Sequence, residues 1–201
     1  MMTRKRKSSL QEMESRFNRF CSQLILDGTI VVGIRGDRSD LHTVVVSSGV
    51  TAIGNHGFDG CSSVTSVTLP DSVTNVGVAA FTSCHGLTSF TLPESVTSLG
   101  YQVFHACRGL TSITLPESIT SYGFRTFSAC TGLTSITLPE SITSIGEYCF
   151  CDCSGLTSLA IPESVTSLGR CTFAYCANLG CLQLPKLLPL GFHQLLALLL
   201  P

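Results

Sequence analysis

Short runs in which apolar and polar residues alternate recur along most of the chain. Between Leu133 and Leu138, apolar Leu133, Ile136 and Leu138 alternate with polar Ser135 and Thr137. Such a two-residue period is typical of a β-strand with one buried face. The proline that follows has no backbone N–H to donate, so it ends the strand. The pattern therefore predicts one short strand before each proline.

The same pattern returns every 23 residues, and the segment Gly109–Ser121 (GLTSITLPESITS) is repeated letter for letter at Gly132–Ser144. A fixed period of roughly 20 to 50 residues indicates a solenoid, in which each unit stacks on its neighbours. Four columns keep this period: prolines at 70, 93, 116, 139, 162 and 185, glycines at 54, 77, 100, 123, 146 and 169, phenylalanines at 58, 81, 104, 127, 150 and 173, and cysteines at 61, 84, 107, 130, 153 and 176.

The order of these columns predicts the path of one unit. The glycine supplies a turn, either through a positive φ or because another backbone segment approaches closely. From there to the cysteine, the chain returns as a short helical or extended segment that places phenylalanine and cysteine in the interior. We therefore predict an α/β repeat solenoid of about seven 23-residue units between residues 41 and 184.

The repeat, written L-x-x-I-x-L-P-x-S-V-x-x-I-G-x-x-x-F-x-x-C-x-x-L, resembles that of the BspA-like (Treponema-type) leucine-rich repeat family. The resemblance covers about residues 41–184 and rests on several columns at once. It implies a curved, right-handed coil with a parallel sheet on the concave side. It also implies a surface or adhesion protein that binds other proteins.

The segments on either side of the repeats are expected to cover the ends. Residues 1–40 divide into a basic tail, an amphipathic helix from about 10 to 22, and a hairpin. Ser9 and Glu12 form a capping box for that helix. The hairpin runs from Leu24 to Ile34 around a type I′ turn at Asp27-Gly28. Residues 185–201 form a degenerate last unit and an apolar tail, which is either an improvised cap or the sticky end of a fragment.

Charge separates the chain into a basic start and an acidic repeat region. Residues 1–40 hold eight basic and five acidic residues, a balance of +3, whereas residues 41–184 hold three and eight, a balance of −5. Acidic repeats are a poor match for phosphate backbones, so we expect no nucleic acid at the repeats. No apolar segment of a signal peptide follows Arg4–Lys7, which favours the cytoplasm, although the resemblance leaves the cell surface open. The apolar tail is too short to be a transmembrane segment.

The cysteines and histidines favour a structural role over a chemical one. Six of the eleven cysteines share one apolar column, which predicts a buried row of thiols. Cys149, Cys151 and Cys153 lack the paired C-x2-C spacing of zinc sites. The five histidines occupy different columns, and none lies beside both a nucleophile and a carboxylate. We therefore expect no metal, no cofactor and no catalytic residue, and the chain is not predicted to be an enzyme.

The candidate site is the outward side of the predicted sheet. The solvent-facing strand positions form a serine and a threonine column, and an acidic row follows each proline. The predicted binding residues are Ser66, Thr68, Ser89, Thr91, Ser112, Thr114, Ser135, Thr137, Glu94, Glu117 and Glu140. Solenoids commonly bind partners on such a sheet. The competing interpretations are a ladder of hydroxyls bonded to each other and an acidic rim that is merely solvated.

These columns predict a non-enzymatic protein-binding or adhesion scaffold. One alternative is recognition of a repetitive glycan or another lattice by the regularly spaced hydroxyls. Another is a structural spacer whose function lies in the N-terminal segment. A second candidate contact surface is the variable return side of each unit, which carries residues such as Tyr101, Arg125, Tyr148 and Tyr175.

Overall fold

The computed structural model describes residues 24–34, 41–186 and 188. The predicted helix at about 10–22 and most of the predicted C-terminal cap lie outside these residues.

Most units contribute two short strands, a longer one just before the proline and a two-residue one just before the glycine; residues 135–137 are the exception and form no strand. The strands are β1 Leu24–Asp27, β2 Ile30–Ile34, β3 Thr43–Val45, β4 Ala52–Ile53, β5 Ser66–Thr68, β6 Asn75–Val76, β7 Ser89–Thr91, β8 Ser98–Leu99, β9 Ser112–Thr114, β10 Ser121–Tyr122, β11 Ser144–Ile145, β12 Ser158–Ala160, β13 Ser167–Leu168 and β14 Cys181–Gln183.

The strands of successive units pair in parallel and in register, so the chain completes one coil every 23 residues. Ser89 pairs with Ser112, and Ser121 pairs with Ser144. The two-residue strands extend the N-terminal hairpin into a sheet of order β1-β2-β4-β6-β8 and form a second sheet of order β10-β11-β13, and the longer strands of the repeats form the pairs β3-β5, β7-β9 and β12-β14. The predicted parallel solenoid is confirmed.

The return segments contain turns and no helix in the described residues, so the α/β expectation is wrong for this part of the chain. In each return segment, alternate N–H groups bond to the next unit and not within their own segment. Gln102, Phe104 and Ala106 donate to the carbonyls of Phe124, Thr126 and Ser128 at 2.8–2.9 Å. The same three bonds recur at every step from His56 to Ala174, and we call them the turn-side ladder.

The turn-side ladder depends on an unusual backbone conformation. Each return segment contains two residues with a positive φ, and most of these residues are not glycine. Each unit is named by the proline at which it begins, so the unit of Pro93 runs from residue 93 to residue 115. In that unit the two residues are Gln102, with a φ of 58°, and Ala106, with a φ of 57°. Left-handed residues among right-handed ones direct alternate peptide groups along the solenoid axis, as the strands also do, whereas the peptide groups of a helix bond within the helix. Each aligned peptide can accept from the previous unit and donate to the next.

The phenylalanine column forms the centre of the core. The rings of Phe58, Phe81, Phe104, Phe127, Phe150 and Phe173 are at most 1% exposed. Neighbouring rings stack with centroids 5.0–5.9 Å apart and interplanar angles of 3–10°. The predicted inward placement of this column is confirmed.

The glycine column allows close packing of neighbouring units, whereas the expected positive φ is not observed there. A Cβ on Gly77 would lie 2.7 Å from the backbone nitrogen of Asn55 in the unit before. A second glycine column, which includes Gly109, meets the preceding unit in the same way, since a Cβ there would overlap the carbonyl oxygen of His85. Only a residue without a side chain fits at these positions.

The N-terminal hairpin is present, but its turn differs from the expected one. Asp27 pairs with Ile30 inside the ladder of β1 and β2, so the turn residues are Gly28 and Thr29. Gly28 has a φ of 62° and Thr29 has a negative φ, which fits a type II′ turn and not type I′. Glycine is favoured at the first central position of that turn.

We expect Phe127→Ala to lower the free energy of unfolding by about 3–5 kcal/mol, because it removes a fully buried ring from the stack. Chemical denaturation monitored by circular dichroism would measure the change. Tyr101→Ala is the control, since Tyr101 is 59% exposed. A loss below about 1 kcal/mol for Phe127→Ala would contradict the stacked core.

We expect Gly109→Ala to destabilise the protein by more than about 2 kcal/mol, because the added Cβ overlaps backbone and not a movable side chain. Gly180→Ala is the matched control, since a Cβ there meets nothing closer than 3.9 Å. Denaturant titration of both variants would compare them, and equal stabilities would be incompatible with the close packing of the units.

Candidate functional site

The outward side chains of the longer strands lie on one exposed surface, together with Ser135 and Thr137 at the equivalent positions of residues 135–137, which form no strand. We call it the Ser/Thr face, and it consists of Ser66, Thr68, Ser89, Thr91, Ser112, Thr114, Ser135 and Thr137, all of them exposed. Between each serine and threonine lies a buried apolar residue, such as Phe90 or Ile113. The strand alternation predicted from the sequence therefore places these eight hydroxyls together on one side.

The hydroxyls of the Ser/Thr face make no side-chain hydrogen bonds to any part of the chain that the structure describes. Neighbouring columns of the same residue types behave differently. Thr111 donates to the Thr88 carbonyl at 3.0 Å, Thr143 donates to the Thr120 carbonyl at 3.1 Å, and Ser95 donates to the Val73 carbonyl at 2.6 Å. The hydroxyls of those neighbouring columns therefore form the ladders along the solenoid. The hydroxyls of the Ser/Thr face can instead form hydrogen bonds with solvent or a ligand.

One depression of the Ser/Thr face lies between β5 and β7. These two strands are not hydrogen-bonded to each other, and a cavity of about 360 Å³ lies at their exposed sides. Val67 and Phe90 also line it, although both residues are at most 8% exposed and belong to the core. Its polar rim is formed by Ser66, Thr68, Asp71, Ser89 and Thr91. An extended polar group could therefore find both donors and acceptors there.

The acidic row lies beside the Ser/Thr face and is tied to the backbone of the next unit. Glu94 accepts a hydrogen bond from the Glu117 amide at 3.3 Å, and Glu117 accepts one from the Ser141 amide at 3.2 Å. Glu140, the third predicted member, is exposed and has no such bond. The carboxylates therefore help to fix neighbouring units, which the sequence alone did not reveal. Their second oxygens remain available to a partner.

The cysteine column is buried, as predicted, except for the partly buried Cys176, and from Cys84 onward each of its thiols donates to a backbone carbonyl. Cys107 donates to the Phe81 carbonyl at 3.0 Å, and Cys130 donates to the Phe104 carbonyl at 3.1 Å. Burial raises the pKa of Cys107 to about 12 and keeps the pKa of Cys130 well above its usual value. These thiols stay protonated at neutral pH, so they are poor nucleophiles and poor metal ligands.

The remaining cysteines and the histidines form no chemical centre in the described residues. Cys149 and Cys153 are buried, and Cys151 is partly exposed on the same segment. No group of three potential metal ligands occurs in the described part of the chain. His56 pairs with the Asp59 carboxylate at 3.0 Å. Burial lowers the pKa of His105, whose Nδ1 lies 3.1 Å from the Ser128 carbonyl oxygen.

The return side carries one aromatic and cationic cluster. The guanidinium carbon of Arg125 lies 5.0 Å from the centre of the Phe124 ring and 5.3 Å from that of Tyr148. Tyr101 and Tyr175 are the two exposed large aromatic side chains on this side, at 59% and 60%. The signal for the cluster was present in the sequence, since Arg125 and Tyr148 occupy the same column one unit apart. Residues of one column become neighbours in a solenoid.

Comparison with known proteins identifies the repeat type. The family model described as "BspA type Leucine rich repeat region (6 copies)" matches residues 37–155 and 78–189. No curated protein sequence gives a significant match. No helix within the described residues is long and apolar enough to cross a bilayer.

Several solved structures have the same architecture. A leucine-rich repeat protein from T. pallidum is 32% identical with a TM-score of 0.75, over 84% of this chain and 81% of that one. A leucine-rich repeat protein from Bacteroides ovatus is 28% identical with a TM-score of 0.57, over 72% of this chain and 45% of that one. One from Eubacterium ventriosum shows the fold alone, at 22% identity and a TM-score of 0.61, over 83% of this chain and 50% of that one. The chain thus spans half or less of the latter two proteins.

We expect the buried cysteine column to resist alkylation in the native protein. Cys107 and Cys130 should remain unmodified by iodoacetamide at pH 8, because their thiols are enclosed and protonated. The exposed Cys181 should react within minutes and is the internal control. Peptide mass spectrometry would quantify each site, with the denatured protein as the reference for full modification. Equal labelling of Cys107 and Cys181 would show that the column is not enclosed.

Proposed function

Because the chain belongs to the BspA-type leucine-rich repeat family, we propose that it is a non-enzymatic scaffold that binds protein partners through its Ser/Thr face and acidic row. The family consists of repeat proteins that commonly serve in protein binding or adhesion. The observation that carries the proposal is a difference between hydroxyl columns: those of the neighbouring columns donate to carbonyls of the preceding unit, whereas the hydroxyls of the Ser/Thr face bond to no group in the described chain.

The chemistry of the Ser/Thr face defines the partner it suits. Short hydroxyl side chains above a rigid backbone lose little entropy when they bind, and they can both donate and accept. The acidic row adds negative charge along one border, with Glu94, Glu117 and Glu140 at successive steps. A partner that presents polar groups together with lysine or arginine side chains would satisfy both features. The depression between β5 and β7 is where such a partner can insert a side chain.

The regular spacing of the hydroxyls supports a second candidate, recognition of a repetitive glycan. Successive serines stand one strand spacing apart, about 4.8 Å, and this interval repeats along the face. A polymer with regularly spaced hydroxyls could bond to several units at once. The depression between β5 and β7 interrupts this regularity, which favours the protein partner over the lattice.

Charged side chains on the Ser/Thr face should abolish partner binding. We expect the triple variant Ser112→Arg, Thr114→Arg, Ser135→Arg to weaken the affinity for a purified partner by at least about tenfold, a loss of about 1.4 kcal/mol. The partner is obtained by cross-linking to the wild-type protein, and its dissociation constant is measured by calorimetry. These three positions are exposed, so the fold should be retained, which circular dichroism would verify.

The control variant places arginine side chains on the return side of the molecule instead. Tyr101→Arg and Tyr175→Arg together change exposed residues of the return side only. Unchanged affinity in the triple variant, with a loss in the return-side variant, would overturn the assignment to the Ser/Thr face. Binding of the wild-type protein to a polysaccharide array, lost in the triple variant, would instead establish the glycan alternative.

A further inference from the structure

One junction between units differs from the others in the described solenoid. It lies between the unit of Pro93 and the unit of Pro116. On the side of the two-residue strands, β6 pairs with β8 and β10 pairs with β11, whereas β8 and β10 do not pair. The parallel sheet of this side is therefore divided in two at the junction.

The sheet of the longer strands is open at the same junction. β7 pairs with β9, but β9 has no pairing with residues 135–137 of the next unit. Elsewhere in the described chain, a gap on one side is accompanied by pairing on the other; β5 and β7 are unpaired, for example, but β4 pairs with β6. The junction after the unit of Pro93 is the one place in the described units where both sheets are open.

Backbone amides at this junction show the same interruption. Thr143 donates to the Thr120 carbonyl at 2.9 Å, and Thr111 donates to the Thr88 carbonyl at 2.8 Å. The equivalent amides of Thr120 and Thr134, which face the open junction, have no backbone acceptor in the described chain. The segments around these amides have identical sequences, so the difference arises from the junction and not from local residue preference.

The turn side remains fully bonded at this point. The turn-side ladder crosses the junction with its usual three bonds, and the rings of Phe104 and Phe127 stack at 5.6 Å. Two further hydrogen bonds cross the junction beside Pro116, between the two sheet sides: the Ser118 hydroxyl donates to the Val96 carbonyl, and the Glu117 amide donates to the Glu94 carboxylate at 3.3 Å. The two halves of the solenoid are therefore joined continuously along the turn side, whereas the two sheets have no backbone bonds across the junction and only these two bonds to side chains resist opening, which is the arrangement of a hinge.

Tyr122 marks the open side of the junction. Its column otherwise contains aliphatic residues, namely Ile53, Val76, Leu99, Ile145 and Leu168. The Tyr122 side chain is 1% exposed, its ring packs edge-on against Phe127, and its hydroxyl has no hydrogen-bond partner among the residues that the structure describes. Burial of an unsatisfied hydroxyl costs free energy, which is recovered when the group reaches water. Opening of this junction is thereby favoured over opening of the others.

We propose that the solenoid bends at the junction between the units of Pro93 and Pro116, with the turn-side ladder as the hinge line. Residues up to Leu115 and residues from Pro116 move as two blocks. Bending changes the separation of Ser112 and Thr114 from Ser135 and Thr137, so it adjusts the span of the Ser/Thr face. The proposal concerns the motion of the fold and does not depend on which partner binds.

Hydrogen exchange measured by NMR on the full chain tests the open junction directly. Thr120 and Thr143 have the same preceding residues, as do Thr134 and Thr111, so each pair has equal intrinsic exchange rates. We expect the amides of Thr120 and Thr134 to exchange at least about tenfold faster than those of Thr143 and Thr111. Rates within a factor of about two in both pairs would overturn the proposal.

Relaxation dispersion separates motion from a static gap, since hinge bending takes place in microseconds to milliseconds. We expect dispersion at the amides of Leu99, Thr120 and Gly123, and flat profiles at those of Thr143 and Gly146. Fast exchange without dispersion would mean that the junction is open but rigid, which contradicts bending. Tyr122→Phe removes the unsatisfied hydroxyl alone and should reduce both signals at Thr120. Unchanged signals in that variant would exclude the hydroxyl as the cause of opening.

Discussion

The turn-side ladder is the interaction on which the solenoid depends. It crosses every junction from His56 to Ala174, including those where a sheet is interrupted. Each step aligns three peptide groups with the solenoid axis, and left-handed residues such as Gln102 and Ala106 make this alignment possible. A non-glycine residue in that conformation costs about 1–2 kcal/mol. The bonds and the stacked phenylalanines on the same side offset the cost, but only when several units are present, because a single unit has no neighbour to bond with.

Because the turn-side ladder joins every pair of neighbouring units, strand pairing in the two sheets can differ from one junction to the next. The strands of the repeats are only two or three residues long, so each sheet has few hydrogen bonds per junction. At the junction where β8 and β10 do not pair, the large residue Tyr122 lies in β10. The longer strands carry the Ser/Thr face and are interrupted most often. The Ser/Thr face is thus built on the sheet with the most interruptions, while the buried rings and thiols behind it keep the units in register.

Columns of like residues have two different physical roles in this protein. Thr111 and Thr143 direct their hydroxyls along the solenoid axis to carbonyls of the preceding unit and stabilise the stack. Thr91 and Thr114 belong to strands with exposed outward side chains, where no carbonyl is within reach. The orientation of the Cα–Cβ bond relative to the axis decides between the two roles. Repetition alone therefore does not distinguish a binding column from a structural one.

The amino-acid sequence by itself determined the period, the register and the inward columns, because a 23-residue repeat brings equal residues into contact and apolar alternation fixes which of them are buried. It also determined the eight residues of the Ser/Thr face. Only the tertiary structure decided that the return segment is a ladder of turns and not a helix, since its hydrogen-bond acceptors lie in the next unit. The same holds for the amide contacts of Glu94 and Glu117, the close approach at Gly77, and the open junction beside Tyr122. Each of these depends on the distance between atoms of neighbouring coils, and no local sequence pattern records that distance.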